Sequence, residues 1–169
     1  KNMDGYQNSV KAVMRAAGAR RLRGVIGPVS AILTVEPGCE VAVETALGGA
    51  LQNIVVENEA AAKAAIALLR NDNAGRATFL PLDTIRTNSL RETGLERQNG
   101  CFGTADALVR FNEKYKNIVC NLLARTVISE NMDTALALAK AYGHRFRIVT
   151  LDGQILQAGG AMTVSYTHL

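Results

Sequence analysis

The groups in this 169-residue chain best suited to chemistry are few, and their spacing assembles no catalytic device. His144 lies in the turn-like stretch "YGHRF" and His168 stands next to the last residue, while Cys39, Cys101 and Cys120 sit singly in apolar or small-residue surroundings. Without an H-x-x-x-H or C-x-x-C pair, no metal set can be built from them. Three unpaired thiols read as buried and reduced, and the polar N-terminus lacks an apolar leader, so the expected compartment is the cytoplasm. Asp83 and Asp152 end two strand-like runs and could be posed as a general acid–base pair, but turn or cap duty explains both more simply. Neither G-x-x-x-x-G-K-[ST] nor G-x-G-x-x-G occurs, so no nucleotide-cradling loop is present. The glycines of "GVIG" and "CFGT" read as tight turns, because an apolar run follows them instead of the basic helix that a nucleic-acid clamp wants. The expectation is a chain that is no enzyme by itself, with no catalytic residue, no cofactor, no metal and no small-molecule substrate.

Charge is the more informative chemistry. The formal net charge is +4, yet residues 5–35 hold Lys11, Arg15, Arg20, Arg21 and Arg23 with no acid at all, while residues 36–169 carry 13 basic and 14 acidic side chains. A basic segment this concentrated suits phosphate or another polyanion. Base stacking is a poor fit, since aromatics make up 5% of the chain and Trp is absent.

The elements that must position these groups follow from periodicity. "GYQNSVKAVMRAAG" places Tyr6, Val10, Val13, Met14 and Ala17 at helical spacing, with Gly18 as a C-cap. "GVIGPVSAILTV" is a β-branched strand-like run with a glycine turn, "EPGCEVAVETALGGAL" is helical to Leu47, and "LQNIVVE" is a buried strand. "NEAAAKAAIALLRND" is a helix with Asn58 as N-cap and Glu59 in its first turn. "GRATFLPLD" is a strand stopped by Pro81. Residues 84–99 are polar and aperiodic and read as a linker. With 48% hydrophobic and 20% charged residues and no apolar run of membrane-spanning length, the chain is globular and no membrane partner is expected.

The pattern then repeats as "GCFGTADALVRF", "NEKYKNIVCNLLA", "RTVIS", "ENMDTALALAKAYG" and "HRFRIVTLDG". At an offset of 76, Gly24 meets Gly100, Gly27 meets Gly103, Ala31 meets Ala107 and Leu47 meets Leu123. After a gap Glu57-Asn58 meets Glu130-Asn131 and Ala62 meets Ala135, and after another Leu82-Asp83 meets Leu151-Asp152. Nine identities carry less weight than the matched order of elements, which implies two pseudo-repeated α/β subdomains with mixed sheets. The expected division is an N-terminal helix and basic junction at 1–22, a first subdomain at 23–88, a linker at 89–99, a second subdomain at 100–163 and an atypical tail at 164–169. Open sheet edges in such a chain invite pairing with a second copy.

In this order and at these spacings, "GVIGPVSAILTV", "ALGGALQNIVVE", "GRATFLPLD", "RFRIVTLDG" and "GGAMT" closely resemble the hinge domain of SMC proteins, the structural-maintenance-of-chromosomes ATPases, in their bacterial condensin form. The resemblance runs from about Gly5 to Thr163. It implies a hinge between two coiled-coil arms whose far ends carry ATPase heads outside this sequence, with two hinges pairing as a homodimer. It also implies that Gly159 and Gly160 lie at the dimer interface with Ala161, Met162 and Thr163 as neighbours. Glycine suits such a place because it lacks a Cβ and lets another backbone approach. Hinges of this family also contact DNA, double- or single-stranded and without sequence preference, through basic surface near the arm junction. Lys11, Arg15, Arg20, Arg21 and Arg23 occupy that position, and a nucleoid-associated protein follows. The chain departs from the family after "GGAMT", where Val164-Ser165 stand in place of a second glycine pair and "VSYTHL" is not heptad-like; that tail reads as foreign to the motif. Two other readings stand beside this one: a small α/β ligand-binding protein or enzyme with a site between its lobes, and the related hinge of a chromosome-maintenance protein without condensin function.

Overall fold

The computed structural model describes residues 5–164, so His168 and the tail beyond Val164 lie outside the described residues. Helix α1 (Asn8–Gly18) is followed by β1 (Val25–Pro28), a single helical turn α2 (Val29–Ile32), β2 (Leu33–Val35), α3 (Glu40–Leu47), β3 (Ile54–Val56), α4 (Glu59–Asn71) and β4 (Phe79–Pro81). The second series is β5 (Cys101–Thr104), a 3-10 turn at 105–108, β6 (Val109–Phe111), α5 (Lys116–Leu123), β7 (Thr126–Ser129), α6 (Met132–Ala141) and β8 (Arg147–Thr150). A hairpin of β9 (Ile155–Leu156) and β10 (Met162–Thr163) completes it.

The run "GVIGPVSAILTV" is not one strand. Gly27 adopts φ +151° and the ladder slips between Val25 and Gly27, after which Pro28 has no N–H to offer and the chain turns into α2. The same slip recurs between Cys101 and Gly103 in β5. Three further local features repeat with it. The Gly24 carbonyl accepts from the Glu57 N–H at 2.8 Å, and the Gly100 carbonyl accepts from the Glu130 N–H at 2.8 Å. Asn58 caps α4 by accepting the Ala61 N–H at 2.9 Å, and Asn131 caps α6 by accepting the Thr134 N–H at 2.9 Å. β3 pairs antiparallel with β1 and parallel with β4, and β7 pairs antiparallel with β5 and parallel with β8, so both sheets are mixed. Of the matched letters, Gly24 with Gly100, Gly27 with Gly103 and Asn58 with Asn131 sit where the backbone needs them. Replacing Asn58 or Asn131 with Ala is expected to cost about 1 kcal/mol each, and by similar amounts, because the two caps have the same geometry. Thermal denaturation of the two variants checks this.

Two units form, and neither is a continuous piece of chain. Among the described residues, the first holds 5–33, 49–86 and 112–118; the second holds 34–48, 87–111 and 119–164. The first unit is built on the sheet β1-β3-β4, with α1 and α4 burying Val10, Val13, Ala16, Ala65 and Leu69 against Ile54 and Val56. The second is built on β10-β9-β8-β7-β5, with α6 burying Ala135, Leu138 and Ala139 against Val127, Ile148 and Leu156. Helix α3, which sequence order places with the first lobe, belongs to the second unit, where the Arg147 guanidinium donates to the carbonyl of Ala46 at 2.7 Å. Residues 84–99 are not plain linker. Leu95 is 3% exposed in the second core and Leu90 packs against it, two apolar residues whose irregular spacing gave no periodic signal.

Candidate functional site

Two places gather the residues singled out in the sequence. The first is the end of the second sheet. β8 turns into β9 through a loop in which the Asp152 carboxylate accepts from the Thr150 hydroxyl and from Gln154 Nε2, so Asp152 has turn duty. β9 then pairs antiparallel with β10, Leu156 opposite Met162 and Ile155 opposite Thr163. Between them the Gln157 N–H donates to the Ala161 carbonyl at 2.7 Å and the Gly160 N–H donates to the Gln157 carbonyl at 3.0 Å, closing a tight loop. Gly159 and Gly160 have φ +91° and +108°, a region where a side chain is strained. Gly159 has nothing within 4 Å of where a Cβ would stand. The loop conformation thus requires glycine there, while the space a side chain would take stays open.

That loop has a support the sequence did not reveal. His144, itself left-handed at φ 56°, ends α6 by donating its N–H to the Ala139 carbonyl at 2.8 Å and accepts the Gly159 N–H at 3.0 Å. A Cβ on Gly160 would lie 3.8 Å from His144 Cδ2. β10 is the outermost strand of its sheet, and Ala161, Met162, Thr163 and Val164 are all exposed, Met162 by 58%. A solvated strand edge bearing a large apolar side chain is a ready pairing surface.

The second place is the basic segment. After α1 the chain reverses through Arg20 at φ 64°, with the Arg21 N–H donating to the Ala16 carbonyl at 2.8 Å. Leu22 is pinned in the first core at 8% exposure, and Arg20, Arg21 and Arg23 are left exposed around it. These three line a cavity of about 460 Å³ together with Glu57, Asn58 and the alanines of the first turns of α4. Arg21 also reaches Asp72 at 3.8 Å, both side chains largely in water. Lys11 and Arg15 stand four residues apart on α1, outside the cavity lining, and Lys11 is half-buried. The structure therefore gathers three of the five basic residues and leaves two apart. The acids Glu57 and Asp72 that attend them come from later in the chain, which no local reading of charge exposes.

The thiols differ from expectation, since only Cys101 is buried and Cys39 and Cys120 are partly exposed. Cys39 precedes the first turn of α3, where nothing covers it fully. Burial pushes both the Cys101 and Cys39 thiols up, with Glu40 and Glu36 adding to the effect at Cys39, the opposite of what activates a nucleophilic thiol. Among the described residues no group of three or more His, Cys, Asp or Glu could hold a metal ion, and no helix is long and apolar enough to cross a membrane.

Comparison with known proteins places this architecture. Residues 22–139 match the family model for the SMC proteins flexible hinge domain. The chain is 39% identical over 165 residues to the chromosome partition protein Smc of Bacillus subtilis, covering 96% of this chain and 14% of that protein. It is 41% identical over 165 residues to the Smc of Desulfitobacterium hafniense, with the same coverage. The chain thus spans about one seventh of the length of these relatives (14%). Among solved structures, an asymmetric dimer of the Geobacillus stearothermophilus SMC hinge domain superposes with a TM-score of 0.90 at 38% identity, covering 98% of this chain and 68% of that one. The Pyrococcus furiosus SMC hinge domain follows with a TM-score of 0.76 at 28% identity, covering 95% and 81%. Two mixed α/β units with repeated caps and bulges, and this sequence identity over nearly the whole chain, make it a member of the SMC flexible hinge domain family.

Proposed function

We propose that this chain is the dimerisation module of a chromosome-partition ATPase, pairing two copies through the β9–β10 hairpin and contacting nucleic acid through the basic residues of its first unit. The observation that carries the reading is the open end of the second sheet: an outermost strand with Met162 58% exposed beside a glycine whose Cβ position is empty. The description of the Geobacillus stearothermophilus hinge domain as a dimer supports it. The ATPase heads and coiled-coil arms belong to the whole protein, as does its place on the nucleoid in the cytoplasm. Gly159, Gly160, Ala161, Met162 and Thr163 form the contact, and Lys11, Arg15, Arg20, Arg21 and Arg23 supply charge to the nucleic acid without reading sequence.

Sedimentation of the chain as it stands should show concentration-dependent dimers. Met162→Glu places a charge on the edge without touching the loop's glycines and should weaken self-association by at least about tenfold, roughly 1.4 kcal/mol, with an unaltered far-ultraviolet spectrum. Wild-type chain that stays monomeric at high micromolar concentration, or a variant that dimerises as well as the parent, removes the reading. For the nucleic-acid half, affinity for an oligonucleotide should fall steeply as salt rises; affinity that ignores salt removes it.

A further inference from the structure

We propose that the cavity at the start of α4 in the first unit is a seat for one phosphate group, held by Arg20 and Arg23 with Arg21 at its rim. It rests on the preceding section only where the phosphate belongs to a nucleic acid; a free phosphate would fill the same seat.

The segment Arg20-Arg21-Leu22-Arg23 is held from within. Leu22 is 8% exposed in the core, and the turn before it is fixed by the Arg20 N–H on the Ala17 carbonyl at 3.1 Å and the Arg21 N–H on the Ala16 carbonyl at 2.8 Å. The guanidinium groups are therefore carried on an anchored backbone, which lowers the ordering cost of converging on one anion. Guanidinium forks match phosphate oxygens in pairs. The helix end adds little, since Asn58 already accepts the Ala61 N–H at 2.9 Å and Glu59 occupies the first turn. The charge comes from the arginines.

The repeat supplies an internal control. At the same offsets in the second unit, Arg20 corresponds to Glu96, Arg21 to Arg97, Arg23 to Asn99, Ala60 to Asp133 and Ala61 to Thr134. Thr134 stands beside the strand with its Cγ2 2.6 Å from where a Gly100 Cβ would lie, whereas beside Gly24 the smaller Ala61 methyl lies at 2.9 Å and Glu57 at 3.6 Å. The first unit thus gathers three arginines beside small side chains at the start of α4, where the second unit has a 3-10 turn at Leu95–Arg97 and the larger Asp133 and Thr134 at the start of α6. Arg20 and Arg23 are therefore not letters that the repeat imposes. Glu57 is the one carboxylate in the lining, and it opposes an anion.

The test is amide and guanidinium NMR of the whole chain titrated with inorganic pyrophosphate, and in a second arm with a 30-nucleotide single strand. Pyrophosphate should perturb residues 20–24 and 57–61. Arg20→Asn with Arg23→Gln, where Asn keeps the left-handed backbone, should weaken it roughly ten- to a hundredfold, as loss of charged hydrogen bonds does. Glu57→Gln should strengthen it by roughly threefold, the effect of removing one like charge near the surface. Lys140→Gln, an exposed residue in the last turn of α6 in the second unit, should leave pyrophosphate binding unchanged. Absence of shifts at 20–24, or indifference to the arginine or Glu57 changes, overturns the seat whatever the oligonucleotide does. The pyrophosphate pattern with no oligonucleotide binding keeps the seat and overturns the nucleic-acid reading. The same pattern with an oligonucleotide bound equally by the parent and the arginine variant keeps the seat for a free phosphate alone.

Discussion

Gly100→Ala is expected to destabilise the second unit by about 3 kcal/mol, from left-handed backbone strain of about 1–2 kcal/mol and overpacking of about 1–3 kcal/mol. Gly100 has φ +74°, and its new methyl would stand 2.6 Å from Thr134 Cγ2, 2.9 Å from its Oγ1 and 3.1 Å from Glu130 Oε1. Thr134 does not move freely, because it is β-branched and lies in the first turn of α6, whereas the Glu130 carboxylate ends a flexible, exposed side chain and can swing aside. Adding Thr134→Ala to Gly100→Ala should restore roughly half the loss, since it removes the overpacking and leaves the backbone strain. The cap survives in that double variant, because Asn131 binds the main-chain N–H of residue 134 and not its side chain. Urea denaturation measures all three; a single variant within about 0.5 kcal/mol of the parent contradicts the packing argument, since that is the range of an inconsequential surface change.

Arg147→Met is expected to cost about 2–3 kcal/mol, the scale of hydrogen bonds to a charged group with buried partners left behind. The Arg147 guanidinium is half-buried, and burial lowers its pKa from the usual arginine value without making it neutral. Its Nη2 donates to the Ala46 carbonyl at 2.7 Å and to Thr126 Oγ1 at 2.8 Å. Ala46 is in the last turn of α3, so the cation meets both an unpaired carbonyl and the negative end of the helix. Met retains most of the aliphatic bulk and strips the donors. The signature is local: hydrogen exchange should accelerate in α3 more than in α6, whose contacts are untouched. Equal protection of α3 in parent and variant means that Arg147 does not hold it.

What the sequence made legible follows a physical rule. Helix α4 could be read because Asn58, Glu59 and a run of alanines announce themselves within a few residues. The repeat could be read because a left-handed turn and a side-chain cap each demand the same letter twice, at Gly24 and Asn58 and again at Gly100 and Asn131. The home of α3 could not, because its buried Ala42, Val43, Ala46 and Leu47 name no partner locally and the Arg147 hydrogen bond to it spans a separation of 101 residues. The break inside "GVIGPVSAILTV" was written in Gly27 and Pro28 but masked by the surrounding β-branched residues. Of the candidate sites, the arginines were visible as charge and the glycine pair as a motif. The support from His144 and the opposition of Glu57 arise only when distant turns meet.

The interleaving of the units reaches back to the ribosome. When residue 86 has been made, the first unit still lacks residues 112–118, and the stretch 34–48 already made has no partner until the second unit appears. Neither unit can be finished before the other is well advanced. Synthesis therefore delivers this hinge nearly all at once: a protease that cuts between the repeats leaves two incomplete pieces, and a stop codon there leaves one, where a bead-like protein would keep a sound domain.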